Sequence, residues 1–227
     1  SGKGLQPEGL AMSYHSLIFD LDGTLTNPLT GIVRCMNYAL SSHDHQVRSE
    51  QEIKPYIGPP LEVALSDLSG STDEAHIKEL VTTYRERYAE LGYKENVVYD
   101  GIFELLDTLQ GEGFRMGVCT SKFEKYAIKV LEEFKLDKYF TFVSGSGAFG
   151  TTKSDQLRDL LDTTIVLDSS LMIGDRYIDL SSAHNTGLRC AGVLWGYGSL
   201  DELTAEAPTF IAETPAHLSA SIIKNSQ

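Results

Sequence analysis

The spacing of hydrophobic residues changes near residue 96, and the two patterns predict two kinds of structure. Between residues 27 and 95 the apolar positions follow a helical period. In the clearest case, residues 73–91, one helix face carries Ile77, Leu80, Val81, Tyr84, Tyr88 and Leu91. Asn27-Pro28 is a typical helix start, and we expect that helix to run to about Ser42. Segment 27–95 is therefore predicted to be almost wholly helical.

After Tyr99, short apolar runs alternate with helical segments. We expect strands at 16–19, 114–120, 140–143, 171–174, 188–193 and 209–212, with helices near 101–110, 123–133, 154–161 and 177–186. Strands that alternate with helices predict crossover connections and a parallel sheet with helices on both faces. The fold class is therefore α/β, with a Rossmann-like parallel sheet core and an inserted all-helical cap domain.

The same patterns divide the chain into segments. We expect 1–13 to be a disordered lead or a tag remnant, because these residues are small and polar. The α/β core is expected to comprise 14–26 and 96–227, and the helical cap 27–95.

Composition narrows the choice of partners. The chain has 19 Lys plus Arg and 32 Asp plus Glu, a net charge of −13, so nucleic acid and anionic membranes are poor partners. No apolar run approaches the roughly 18 residues that span a bilayer. Three widely spaced cysteines argue against a disulfide framework and favour a reducing, cytoplasmic location. A chain this acidic needs a local positive centre or a metal to bind an anionic substrate.

Candidate chemistry lies at the predicted strand ends, where open parallel sheets bind ligands. The first strand ends in Asp20-Leu21-Asp22-Gly23, and two interpretations are open. An Asx turn that closes the strand is the structural one. A nucleophilic carboxylate, with a second carboxylate as acid/base and a hard cation between them, is the functional one. An EF-hand calcium loop is excluded, because Leu25 and Gly31 occupy its sixth and twelfth positions.

Later strand ends carry weaker signals. Thr120-Ser121 before a helix is either a phosphate seat or an N-cap. Lys153 is either a phosphate ligand or a solvated loop lysine. Asp175 and Asp179 lie one helical turn apart, either as ligands or as acidic residues favoured at a helix N-terminus.

Taken together, the order Asp-x-Asp, Thr, Lys, Asp-x-x-x-Asp resembles that of the haloacid dehalogenase-like superfamily, over about residues 16–212. The helical insert is similar in place and length to the cap of its phosphoglycolate phosphatase-like subfamily. Two further motifs, Tyr56-Ile57-Gly58-Pro59-Pro60 and Gly192-Val193-Leu194-Trp195-Gly196-Tyr197-Gly198, resemble a phosphoglycolate phosphatase or 5′-nucleotidase-like branch. One departure is the short loop from Gly150 to Lys153, which leaves Lys122 as an alternative phosphate-neutralising cation.

The resemblance implies a magnesium-dependent phosphatase that acts through an aspartyl phosphate. Asp20 would be the nucleophile and Asp22 the acid/base. The implied Mg²⁺ ligands are Asp20, the Asp22 carbonyl, Asp175 and Asp179. The expected substrate is a small phosphomonoester, either a phosphoglycolate-like acid or a nucleoside 5′-monophosphate, and the chain would be a monomer or dimer.

The resemblance also implies which residues bind phosphate, and the cap offers candidates for substrate specificity. The phosphate-binding residues would be Gly23, Thr120, Ser121 and Lys153. Candidate specificity residues in the cap are Arg34, Gly58 and Pro59. A solvated helix face is the alternative for Arg34.

Three rival functions stay open. A phosphomutase would share these motifs, as would a non-catalytic binding protein. Gly145-x-Gly147-x-x-Gly150 also matches a dinucleotide-binding loop, although that function leaves the aspartates unexplained. The six histidines are expected to form no ligand cluster.

Overall fold

The structure is a computed structural model that describes residues 13–147 and 149–227. The expected lead, 1–13, lies almost entirely outside these residues. Within them the strands are β1 (Leu17–Phe19), β2 (Thr26–Asn27), β3 (Val97–Val98), β4 (Met116–Phe123), β5 (Val143–Ser146), β6 (Leu171–Gly174), β7 (Arg189–Val193) and β8 (Phe210–Ala212). The helices are α1 (Leu29–Ser42), α2 (Glu50–Ile53), α3 (Leu61–Ser69), α4 (Glu74–Glu90), α5 (Ile102–Gly111), α6 (Glu124–Glu133), α7 (Lys153–Asp162), α8 (Tyr177–Asn185), α9 (Leu200–Ala205) and α10 (Pro215–Asn225).

The described strands form a six-stranded parallel sheet in the order β5-β4-β1-β6-β7-β8. β1 lies near the middle, in register with β4 through Phe19 and Val118 and with β6 through Phe19 and Ile173. Its three residues are fully buried, as expected for a parallel strand covered on both faces. The α/β prediction is confirmed.

Helices α1 to α4 form the insert between β2 and β3. The predicted face of α4 is buried except for Leu91, which follows the last helical residue and is half exposed. β2 and β3 pair in antiparallel fashion, Thr26 with Val98 and Asn27 with Val97. The two chain crossings between core and insert therefore lie side by side.

Two strand predictions are wrong by up to three residues: β4 spans Met116–Phe123 rather than 114–120, and β5 also lies later in the chain than predicted. The apolar run at 140–143 predicts a strand there, but β5 begins at Val143. Phe140 instead packs its ring edge-to-face against Phe19, with the centroids 6.1 Å apart. A run of apolar residues does not separate a strand from the packed segment that leads into it.

Cys35, Cys119 and Cys190 are buried and free. Among the described helices, none is long and apolar enough to cross a membrane.

Candidate active site

Asp20 and Asp22 lie in a tight turn directly after β1. The Asp20 amide donates to the Ile173 carbonyl at 2.9 Å, which ties the start of the turn to β6. Gly23 has φ +85, and a Cβ there would lie 2.2 Å from Asp175 Oδ2. Only glycine fits both the backbone and the space, so the turn can press against the neighbouring carboxylate.

Asp175 and Asp179 approach the same point from the end of β6. Asp175 Oδ1 accepts from the Thr24 hydroxyl at 3.2 Å, and its Oδ2 accepts from the Tyr197 amide at 2.9 Å. Asp179 Oδ2 accepts from the Arg176 amide at 3.0 Å, as a helix-capping carboxylate does. These bonds hold both carboxylates in place before any ligand arrives.

These carboxylates form a metal-binding geometry. Oxygens of Asp20, Asp175 and Asp179 lie within 4.8 Å of one another, and all three residues are buried. Burial and the nearby Asp179 charge raise the pKa of Asp20, and the same causes raise the pKa of Asp175 to about 7. Asp20 Oδ2 and Asp22 Oδ1 are buried without a hydrogen-bond partner in the described structure. Unpartnered buried oxygens of this kind fit a hard divalent cation such as Mg²⁺.

Lys153 is the first residue of α7 and lies fully buried in the acidic cluster. Its ammonium contacts Asp20 Oδ1 at 3.0 Å and also contacts Asp179. Burial lowers its pKa, but the Asp179 and Asp20 charges outweigh burial and leave the pKa raised. The short preceding loop therefore does not keep Lys153 away from the aspartates.

Lys122 enters the site from the end of β4. Its ammonium lies 3.0 Å from Asp22 Oδ2 and 4.2 Å from the centroid of the Tyr88 ring. Burial lowers the pKa of Lys122, but the Asp22 carboxylate and other nearby groups raise it by more. The net pKa is therefore well above the usual value. Both candidate lysines thus reach the site, each with a different aspartate.

Thr120 and Ser121 directly precede Lys122 on β4 and line the same cavity. β4 continues through them to Phe123, so they are part of the strand rather than of a helix N-cap. Thr120 Oγ1 accepts from the Lys122 amide at 3.1 Å, and Gln156 Nε2 donates to the Thr120 carbonyl at 2.9 Å. The Ser121 hydroxyl is buried and makes no hydrogen bond to the described residues. It is free to bind an incoming oxygen.

A cavity extends from Asp20 and Asp22 to the insert. Gly58 and Pro59 line it, together with apolar and aromatic side chains. Those side chains are Ile32, Met36, Tyr56, Leu61, Tyr84, Tyr88, Phe123 and Tyr126. Tyr84 and Tyr88 belong to the apolar face of α4 that the periodicity predicts to be core. That face therefore forms part of the cavity wall.

Arg85 is a cavity residue that the sequence analysis missed. Its guanidinium lies 4.1 Å from the centroid of the Phe123 ring. The Nε atom is buried without a hydrogen-bond partner, and no described carboxylate forms an ion pair with this side chain. Burial lowers its pKa. The sequence does not reveal this role, because an arginine beside the apolar face of a helix is usually exposed to solvent.

Arg34 is not brought to this cavity. It contacts Glu95, with its side chain 60% exposed, and Glu95 is also paired with Arg87 at 2.7 Å. The structure therefore places Arg34 on the exposed face of α1, outside the cavity, where the alternative interpretation has it.

Arg176 connects the insert to the core. Its NH1 donates to the carbonyls of Pro55 at 2.9 Å and Ile57 at 2.7 Å, and its Nε pairs with Glu202 at 2.9 Å. A Cβ at Gly58 would lie 2.8 Å from Arg176 Cγ, at φ +117. The Tyr56–Pro60 turn thus meets the strand-end motif directly.

Trp195 and Tyr197 complete the wall around Asp175. The Trp195 indole donates to the Thr24 carbonyl at 2.9 Å, and the Tyr197 hydroxyl contacts Asn27. Gly196 lies between them, where a Cβ would be 2.4 Å from Asp175 Cβ. This loop packs on the turn that carries Asp20 and Asp22, a contact that its sequence did not reveal.

This chain is similar to known proteins in sequence and in fold. The model of the "haloacid dehalogenase-like hydrolase" family matches residues 17–193. A 5′-nucleotidase of Pseudomonas aeruginosa is 41% identical over 202 residues, covering 88% of this chain and 91% of that protein. The tyrosine-protein kinase PtkA of Mycobacterium tuberculosis is 33% identical, over 86% of this chain and 67% of that protein. The crystal structure of a predicted phosphatase from Clostridium acetobutylicum superposes with a TM-score of 0.88 at 34% identity, over 93% of this chain and 99% of that chain.

Proposed function

This chain belongs to the haloacid dehalogenase-like hydrolase family and is a phosphatase, and we propose that it hydrolyses nucleoside 5′-monophosphates with Mg²⁺ through an aspartyl phosphate. The observation that carries the proposal is the position of Asp20. Its Oδ1 contacts Lys153, its buried Oδ2 has no partner among the described residues, and the residue lines the cavity.

The site's charge explains the need for a cation. Four carboxylates, those of Asp20, Asp22, Asp175 and Asp179, meet the ammonium groups of Lys122 and Lys153. A phosphate monoester, itself an anion, is repelled by this excess of negative charge. Mg²⁺ held by Asp20, Asp175, Asp179 and the Asp22 carbonyl would supply charge neutralisation for the substrate phosphate.

The protein's own groups then divide the chemistry. Asp20 attacks phosphorus in line and forms the P–O bond of an aspartyl phosphate as the ester P–O bond breaks. Asp22 gives a proton to the departing oxygen and later takes one from the water that cleaves the intermediate. Positioned acid/base catalysis of this kind contributes about 10²–10⁴-fold. The Lys122 ammonium, 3.0 Å from Asp22 Oδ2, holds that side chain in position for both steps.

The transferring oxygens need donors that are already in place. The Gly23 amide donates to the Thr26 carbonyl, so Gly23 contributes the shape of the turn rather than a free amide. The Ser121 hydroxyl, the Thr120 hydroxyl and the Lys153 ammonium are the side-chain donors at the site. Preorganised donors of this kind stabilise charge that develops in the transition state.

The cavity favours a nucleotide over a small acid. Its walls are aromatic and apolar, which suits a planar base better than a two-carbon carboxylate. Arg85 adds one cation with an unpartnered donor on the insert side. The similarity to a 5′-nucleotidase supports the same choice.

We also propose the domain division on this basis: a core of 14–26 and 96–227 and a cap of 27–95. The core residues contact the phosphoryl group, and the cap residues contact the leaving group. Tyr84, Arg85 and Tyr88 are the contribution of α4 to the cavity.

The test is release of inorganic phosphate, measured with and without Mg²⁺. The panel comprises nucleoside 5′-monophosphates, 2-phosphoglycolate, pyrophosphate and p-nitrophenyl phosphate. Mg²⁺-dependent release with the highest kcat/KM for a nucleotide is the expected result. A higher kcat/KM for 2-phosphoglycolate would contradict the nucleotide assignment, and transfer of phosphate to a sugar without net release would indicate a mutase.

A further inference from the structure

Three of the six histidines gather on the surface of the helical insert, so the expectation that they form no ligand cluster is wrong. His43 and His45 follow α1, and His76 lies in the first turn of α4. One donor atom each from His43, His76 and Glu79 lie within 4.8 Å of one another. None of these residues lines the cavity described above.

The turn after α1 brings its two histidines against α4. Asp44, between them, has φ +61, a left-handed conformation that aspartate tolerates better than most residues. The His43 and His76 ring centroids are 5.7 Å apart, and those of His45 and His76 are 5.0 Å apart. Sequence separation hid this cluster, because its members come from two elements that pack together only in the fold.

A hydrogen bond positions the His43 ring. Its Nε2 lies 2.8 Å from the Thr83 hydroxyl oxygen, which also lies 3.1 Å from the Glu79 carbonyl. When the Thr83 oxygen accepts from Nε2 and donates to the carbonyl, the other ring nitrogen of His43 is the one left to bind a metal.

Both ring nitrogens of His76 have polar neighbours within the cluster. Its Nε2 lies 2.7 Å from His45 Nε2, so one of these two atoms donates a proton to the other. Its Nδ1 lies 3.5 Å from Glu79 Oε2. In a tetrahedral zinc site, ligand atoms lie about 2.0–2.1 Å from the ion and therefore about 3.3 Å from one another. The separation of His76 Nδ1 and Glu79 Oε2 is close to this value.

We propose that His43, His76 and Glu79 bind a transition-metal dication of the zinc class, and that His45 orients His76 by accepting its Nε2 proton. Metal-binding histidines commonly donate their second N–H to such an outer partner. Imidazole ligands select zinc-like ions, whereas the all-carboxylate site of Asp20, Asp175 and Asp179 suits Mg²⁺. The His76 side chain is 26% exposed and Glu79 is 65% exposed, so the ion can enter and keep a water ligand.

A metal ion at this site would stabilise the helical insert. It joins the turn after α1 to α4, and α4 carries Arg85 and Tyr88 into the cavity. Binding to the folded form alone stabilises that form by mass action. The proposal does not depend on the phosphatase assignment, because its ligands and its readout are separate from the catalytic aspartates.

The experiment titrates tag-free protein with Zn²⁺, and with Co²⁺ as a spectroscopic probe, in excess Mg²⁺. We expect one high-affinity ion per chain and visible Co²⁺ absorption of a tetrahedral nitrogen and oxygen site. His76→Gln should abolish both. His45→Gln should weaken binding by about 10–100-fold, the usual effect of losing an outer partner.

Matched controls separate this site from others. His217→Gln removes a histidine outside the cluster and should bind Zn²⁺ as the unchanged protein does. Asp175→Asn should also keep the Zn²⁺ site, whereas loss of Zn²⁺ binding in that variant would overturn the proposal. Unchanged affinity in both His76→Gln and His43→Gln would overturn it as well. Circular dichroism of each variant, with His43→Gln as the alternative if His76→Gln misfolds, keeps loss of a ligand distinct from loss of fold.

Discussion

At the residue scale, the two oxygens of Asp20 have different surroundings. Oδ1 is held by Lys153 at 3.0 Å, while Oδ2 is buried and has no partner in the described structure. Asp22 shows the same division, with Oδ2 on Lys122 and Oδ1 unpartnered. In each carboxylate one oxygen is fixed and the other is left for chemistry.

Exchange of each carboxylate should therefore separate the role of the nucleophile from that of the acid/base. Asp20→Asn is expected to abolish the phosphoenzyme and to lower kcat by several orders of magnitude, because an amide is a poor nucleophile. Asp22→Asn is expected to slow turnover by about 10²–10⁴-fold while the phosphoenzyme still forms. Acid quench with labelled substrate measures the covalent phosphate, and a labelled Asp20→Asn variant would contradict the nucleophile assignment.

The two lysines should differ in their effect on stability. Lys153→Met leaves Asp20 and Asp179 without their shared cation, and loss of one partner of a buried pair costs about 3–5 kcal/mol. Lys122→Met uncovers only Asp22, whose side chain is 12% exposed, so the loss should be smaller. Urea denaturation without Mg²⁺ measures both, and a larger loss in Lys122→Met would contradict the ranking.

Arg85 should contribute to substrate choice rather than to chemistry. Arg85→Met is expected to lower kcat/KM for a nucleoside 5′-monophosphate about 10–100-fold through KM, because a charged hydrogen bond contributes about 1.5–3 kcal/mol. Hydrolysis of glycerol phosphate, which has no base, should change little. Arg34→Met is the matched control, since that arginine lies outside the cavity. Equal losses for both substrates would argue against recognition of the leaving group.

At the scale of elements, the insert is held to the core by the turn between α2 and α3. Arg176 at the start of α8 donates to two carbonyls of that turn, and Gly58 packs against the Arg176 stem. The contact needs both a positive φ and the absence of a Cβ. It couples the position of the cap to the strand end that carries Asp175.

A pair of glycine variants tests this contact. Gly58→Ala forces a Cβ to 2.8 Å from Arg176 Cγ, while Gly70→Ala, at φ +76, meets no atom within 4 Å. Both should lose about 1–2 kcal/mol of unfolding free energy to backbone strain. Only Gly58→Ala should also raise KM for the nucleotide. Thermal unfolding measures the stability of both variants, and steady-state kinetics measures KM. An equal change of KM in the two variants would contradict the prediction.

Sequence reasoning located the strand-end residues but not the cavity wall. Asp20, Thr120 and Asp175 converge because the carboxyl ends of parallel strands share one edge, a rule that needs no coordinates. Tyr84 and Tyr88 satisfy the same periodicity whether they face a core or a ligand. Hydrophobic spacing identifies the buried face of a helix, not what lies opposite it.

Short and non-local features escaped for a different reason. β2 and β3 have two residues each, too few to show an alternating pattern. His43 and His76 are 33 positions apart, and only the packing of α1 against α4 brings them together. Sequence periodicity records local conformation, so contacts between distant elements need the fold itself.

At the scale of the whole molecule, the chain combines a net charge of −13 with a buried acidic cluster. Like charges at close range destabilise the folded state, and a bound cation relieves that repulsion. Metal binding and folding should therefore be linked in this protein.

Mg²⁺ is expected to raise the thermal midpoint. At a concentration of about 100 times its Kd, a ligand specific for the folded state adds about 2.7 kcal/mol. NaCl at matched ionic strength controls for general screening of surface charge. Asp175→Asn should lose most of the Mg²⁺ effect, and an equal shift in that variant would show that the ion acts elsewhere.

The central position of β1 has a consequence for synthesis on the ribosome. Asp20 and Asp22 are translated early, but β1 pairs with β4 and β6, and the residues of β6 end at Gly174. At about 5–20 residues per second, roughly 10–30 s separate the translation of β1 and β6. During that interval β4 becomes available to one edge of β1, while the other edge still lacks its partner β6. The cluster of Asp20, Asp175 and Asp179 can therefore be completed only after most of the sheet has emerged.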